Sequence, residues 1–141
     1  MLMVIIAGDG EALKQYRDIF THIRNVPYSE LPRYYQSADI FVYPSLHEGS
    51  ALAIYEALAS GLPVVTTFNS GSVVRDGIEG YVVPVQDPDA IKDKIEFLYH
   101  NFQLRKKMGV AARLRAETFS WEAYKARIAG IYKKISLEEI K

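Results

Sequence analysis

The chain has 141 residues, no cysteine, 49% hydrophobic content and 17 Lys and Arg against 17 Asp and Glu. That length suits one domain burying roughly 68–70% of its unfolded surface, with enough apolar material to exclude a disordered chain. Zero net charge argues against a general nucleic-acid or membrane binder, and the lack of cysteine removes disulfides, thiolate zinc sites and a cysteine nucleophile.

The opening Met1 to Ala7 lacks a basic n-region and meets Gly8-Asp9-Gly10 too early for a signal peptide. No apolar run approaches the roughly 20 residues that span a bilayer. The expectation is a single cytoplasmic domain over residues 1–141.

Leu2 to Ala7 reads as a strand buried on both faces, ending in the Gly8-Asp9-Gly10 turn. A helix should follow, with Leu13, Tyr16, Ile19 and Phe20 on one side and Asp9 as its candidate cap. A weak stretch at His22 to Val26 suggests a short second strand. Ser29 is a plausible N-cap before a helix over Glu30 to Ser37, where Pro32 sits in the tolerated first turn.

Asp39 to Tyr43 is the clearest strand, stopped by Pro44. Ala51 to Ser60 reads as a helix closed by Gly61 and Pro63. Val64 to Phe68 is a β-branched strand, and Tyr81 to Val83 another, preceded by the Asp76-Gly77 turn and Gly80. Three helices finish the chain: about Pro88 to His100 with Ile91, Ile95 and Leu98 inward, about Leu104 to Glu117, and one after Ser120. The last carries Trp121, Tyr124, Ile128, Ile131 and Ile135 as a stripe expected to face the core. Alternating strands and helices imply an α/β fold with a parallel, doubly wound sheet.

In such sheets ligands bind beyond the carboxyl ends of the strands. Three segments belong there: Gly8 to Gly10, Pro44 to Ser50, and Asn69 to Ser72. The middle one leaves a buried strand and runs straight into a helix, whose free N–H groups and positive dipole end attract anions. Gly49 lets the backbone approach a ligand, and Ser50 can cap the helix or donate to a phosphate. Glu48 precedes that helix and Glu56 lies eight residues later. If both were helical they would stand ~80° apart and about 12 Å along the axis. Carboxylates accept paired hydrogen bonds from vicinal hydroxyls, which suits sugars and riboses. Two such glutamates are common on solvated helix faces, but Glu56 sits in an otherwise apolar helix, where a lone carboxylate has a specific partner.

The run from His47 through Glu48, Gly49, Glu56 and Gly61 to Val65 strongly resembles the E-x7-E segment of retaining glycosyltransferases with the GT-B fold (group 1, or family 4, type). Gly8-Asp9-Gly10 resembles that family's post-strand glycine turn. Tyr35 through Ser45 resembles the strand into its site, Asp76 through Pro84 its later glycine segment, and Phe119-Ser120-Trp121 its final-helix entry. The resemblance implies a Rossmann-like three-layer α/β/α unit with a parallel sheet, one half of a GT-B fold. It also implies transfer of a hexose from a UDP- or GDP-linked sugar to a glycan or lipid-linked acceptor.

By that resemblance, Glu48 contacts the donor sugar near the transferred carbon and is the catalytic position. Glu56 holds the ribose hydroxyls, while Gly49, Ser50, Ala51 and Leu52 present the helix N-terminus to the diphosphate. His47 and Gly8 flank the donor, and the base lies near Val26 to Leu31. No metal ligand and no cofactor are implied, since helix dipole and basic side chains carry the leaving group's charge.

The sequence also departs from the pattern. An N-terminal acceptor-binding domain and the upstream Arg and Lys that clamp the phosphates are absent from these 141 residues, and Asn69 to Arg75 shows no acidic match. The chain alone is therefore expected to be inactive and weak in nucleotide affinity, with the N-terminal domain as its partner. The resemblance leaves room for peripheral membrane association of the full-length enzyme and gives no nucleic-acid partner. An epimerase half on the same fold and a non-catalytic nucleotide-binding or interaction module remain open. Arg75 reads as a surface salt bridge or a phosphate contact, Tyr34 and Tyr35 as packing. Lys92, Lys94, Lys106 and Lys107 read as solvated helix faces.

Overall fold

A computed structural model describes residues 20–23 and 25–138, with side chains through residue 136. The strand expected over Leu2 to Ala7, the Gly8 to Gly10 turn and the helix carrying Leu13, Tyr16 and Ile19 lie outside the described residues.

The described chain runs through helix α1 (Leu31–Ser37), strand β1 (Phe41–Tyr43), helix α2 (Leu52–Ala59) and strand β2 (Val64–Thr67). Strand β3 (Gly80–Val83) and helices α3 (Pro88–His100), α4 (Phe102–Glu117) and α5 (Trp121–Glu138) complete it. The strands form one parallel sheet in the order β1-β2-β3, with Val42 opposite Val65 and Val65 opposite Tyr81.

Side chains alternate across a strand, so each strand feeds two cores. Val64, Phe41, Tyr43 and Val82 face the side covered by Ile54, Ala57 and Leu58 of α2. Val65, Val42, Tyr81 and Val83 face the other, against Ile91, Ile95 and Leu98 of α3. Helix α4 reaches both layers, giving Ala112 to the first and Met108 to the second. The result is the expected three-layer α/β/α arrangement.

Local signals account for most element ends. Helix α2 stops in a Schellman motif: Gly61 adopts φ 75°, its N–H donates to the Leu58 carbonyl, and the Leu62 N–H reaches back to Ala57. Asp87 caps α3 through the Ala90 N–H at 2.9 Å, with Pro88 at the first position. Ser120 caps α5 by accepting from the Ala123 N–H.

Three expectations are corrected. Ser29 does not cap α1; it sits inside a 3-10 turn (Tyr28–Glu30) closed by the Glu30 N–H on the Pro27 carbonyl, and Glu30 precedes the helix. Of the stretch His22 to Val26, His22 is a bridge residue and Arg24 lies outside the described residues, so the short strand is seen there only as a single bridge position. Lys94 is not simply solvated, because its ammonium lies 4.4 Å from the Tyr81 ring centroid. The α5 stripe does not face a core: Trp121, Tyr124, Ile131 and Ile135 are all exposed. Ile128 is half-buried, and the faces of the described strands are covered by α2, α3 and α4, so the stripe joins neither core.

Candidate active site

Beyond the carboxyl ends of β1 and β2 two loops run side by side. Thr66 and Thr67 are buried at the end of β2, and buried hydroxyls need acceptors. The β1 loop supplies them: Thr66 Oγ1 donates to the Tyr43 carbonyl at 2.8 Å, and Thr67 Oγ1 to that of Ser45. Farther out, the Glu48 N–H donates to the Asn69 carbonyl at 2.9 Å, and Asn69 Nδ2 donates to Leu46 O at 3.1 Å. The backbone of Glu48 is thereby tied to the loop after β2.

The two carboxylates have matching partners. Tyr43 Oη donates to Glu48 Oε1 at 3.1 Å, and Tyr35 Oη donates to Glu56 Oε2 at 2.9 Å. Glu48 is exposed at the edge, whereas Glu56 is half-buried on α2. Burial and then the hydrogen bond and charge of Glu56 push the Tyr35 hydroxyl well above the ordinary tyrosine range. Burial and Glu48 raise that of Tyr43. Both hydroxyls are therefore protonated donors at neutral pH. Sequence reasoning treated Tyr35 as packing and Tyr43 as a strand residue. The usable signal was the alternation of Phe41 and Tyr43, which puts two aromatic rings on one strand face.

Helix α2 begins at Leu52, with Ala51 before it and no side-chain cap on its first amides. Ser50 does not cap the helix; its hydroxyl lies 3.3 Å from that of Tyr55, because the extended backbone at Ala51 separates it from the first turn. Gly49 is exposed and a β-carbon there would meet nothing within 4 Å. His47 and Leu52 are exposed on the same rim, while Ala51 is buried beneath it. Gly8 lies outside the described residues.

Arg75 takes the salt-bridge role. Its guanidinium chelates the fully buried Glu79, whose other oxygen accepts the Arg75 N–H at 2.8 Å. Burial pushes the Glu79 carboxyl up, but the hydrogen bonds and charge of Arg75, with the charge of Arg115, outweigh it and hold the group below the usual range. Asp87-Pro88-Asp89 has an Asp-x-Asp spacing, with Asp87 committed as the α3 cap. Among the described residues no three His, Asp or Glu side chains are grouped to hold a metal ion.

The family model described as glycosyl transferases group 1 matches residues 1–101 of this chain. The chain belongs to that family. A D-inositol 3-phosphate glycosyltransferase of Paenarthrobacter aurescens is 37% identical over 125 residues, covering 81% of this chain and 30% of that protein. This group 1 chain thus spans about a third of the length of that curated relative. Among solved structures, sucrose-phosphate synthase from Thermosynechococcus elongatus overlays 97% of this chain and 39% of its own at TM-score 0.81 and 24% identity. An Anabaena protein, Alr3699/HepE, solved in complex with UDP-glucose, overlays 94% of this chain and 41% of its own at TM-score 0.75 and 20% identity. Those likenesses give the group 1 chain its fold, the Rossmann-like unit of a GT-B glycosyltransferase. Among the described residues no helix is long and apolar enough to cross a membrane.

Proposed function

We infer that this chain is the donor-binding half of a retaining glycosyltransferase, taking a hexose from a UDP- or GDP-linked sugar and passing it to a glycan or lipid-linked acceptor. One observation carries the reading. Two carboxylates, each held by a tyrosine hydroxyl, stand at the carboxyl edge of a parallel sheet beside a helix N-terminus with no side-chain cap. The UDP-glucose complex of the Anabaena protein, which shares the fold, supports the donor class.

In this role Glu56 accepts from the ribose hydroxyls and Glu48 from the sugar, while the diphosphate lies against the first amides of α2 beside Gly49, Ser50 and Leu52, with His47 at the rim. The bond from the anomeric carbon to the β-phosphate oxygen breaks as the acceptor oxygen bonds to that carbon. The acceptor's proton leaves with the diphosphate. The helix dipole stabilises the charge that develops on the leaving group, the largest electrostatic demand of the step. A second domain, outside these 141 residues, would bring the acceptor and complete the phosphate clamp.

Calorimetric titration with UDP, GDP and ADP tests the reading. One nucleotide should bind weakly, and Glu56→Ala should weaken it by about tenfold, the cost of a hydrogen bond to a charged group. If no nucleoside diphosphate binds at millimolar concentration, the interaction-module reading replaces this one.

A further inference from the structure

The two tyrosines that reach the carboxylates belong to one row of rings. Tyr35 and Phe41 meet edge-on with centroids 5.7 Å apart, and Phe41 and Tyr43 stack at 6.0 Å. Phe41 and Tyr43 are two residues apart on β1, so both project toward the α2 layer, where Tyr35 also packs. Each end of the row carries a hydroxyl, and each hydroxyl ends on a different carboxylate: Tyr35 on Glu56, Tyr43 on Glu48. Packing alone needs the rings and makes no use of the two hydroxyls.

A glutamate has three rotatable bonds, and ordering them on ligand binding costs affinity. A tyrosine hydroxyl that donates into one oxygen orders the carboxylate beforehand and leaves the second oxygen for a pair of ligand hydroxyls. Tyr35 joins α1 to α2, and Tyr43 joins β1 to the Pro44–Ala51 loop, so the row also sets the relative placement of the two carboxylates.

We propose that Tyr35 and Tyr43 are positioning residues for nucleotide-sugar recognition, Tyr35 aiming Glu56 at the ribose and Tyr43 aiming Glu48 at the transferred sugar, with Phe41 between them as spacer. This rests on the donor-binding reading above. It makes a divided prediction: each hydroxyl serves one half of the ligand.

The test titrates the chain calorimetrically with UDP, GDP and ADP, then with the glucose conjugate and the 2′,3′-dideoxy form of whichever binds. Tyr35→Phe should weaken the nucleoside diphosphate about 3- to 10-fold, and the loss should vanish with the dideoxy form, which offers Glu56 no hydroxyls. Tyr43→Phe should lower, by a similar factor, the extra affinity of the glucose conjugate over the bare diphosphate. Both substitutions keep the ring, and a Tyr35→Phe/Glu56→Gln double mutant should lose little beyond either single change. Losses equal for every ligand, or no loss in either variant, overturn the positioning role. If wild type binds none of the three nucleotides, the donor reading falls and this proposal falls with it. Binding without dependence on the ribose hydroxyls sinks the proposal alone.

Discussion

Gly71 lies so close beneath Gly49 that a β-carbon on it would come within 2.2 Å of the Gly49 carbonyl oxygen. Its backbone is also left-handed, with φ 60°. Glycine is required twice over, once by sterics with a neighbouring loop and once by its own conformation. The contact holds the loop after β2 against the loop that carries Glu48.

Gly71→Ala should therefore cost the left-handed penalty of about 1–2 kcal/mol and push the Glu48 loop outward. Urea denaturation should register the loss of stability. Nucleotide-sugar titration should show a larger fractional loss for the sugar conjugate than for the bare diphosphate. Wild-type stability and binding in this variant would mean that the two loops move independently.

Glu79 has no solvent exposure and is held ionised by Arg75. Its folded-state pKa is lowered from the ordinary 4.5, so the stability it contributes is complete above that value and lost as pH falls through the lower, folded one. Glu79→Gln should lower stability at neutral pH and flatten the acid limb of a plot of urea midpoint against pH. An unchanged acid limb would assign acid unfolding to other carboxylates.

Exposure along α5 sets a third expectation. Ile131→Ser should change the unfolding free energy of this chain by no more than about 0.5 kcal/mol, as at an ordinary surface position. Ile54→Ala, by contrast, opens a cavity at a fully buried site and should cost about 2–5 kcal/mol. Comparable losses at the two positions would show that the α5 stripe is packed in solution.

The stripe marks where sequence patterning ends. Apolar residues at steps of three and four say that a helix will bury a face, but they do not say against what. For α3 the same signal was sufficient. Asp87 caps it, Pro88 starts it, and Ile91, Ile95 and Leu98 meet a sheet face that α3 covers together with Met108 of α4. For α5 the sheet faces were already taken, and periodicity carries no information about which layers are full.

The candidate site divides the same way. Glu48, Gly49 and Glu56 could be nominated as candidates because a strand stop, a loop glycine and a carboxylate within an apolar helix are signals spanning a few residues. Element order and the parallel sheet followed from alternation alone. The partners of those carboxylates were not legible. Tyr35 precedes Glu56 by 21 residues, and Asn69 reaches the Glu48 amide only because β2 lies beside β1 in one register, Tyr43 opposite Thr66. Local propensity acts over one or two turns of chain, whereas these contacts arise when burial of two apolar sheet faces forces distant segments together. Local sequence signals nominated the candidate residues, and the packed sheet alone chose what holds them in place.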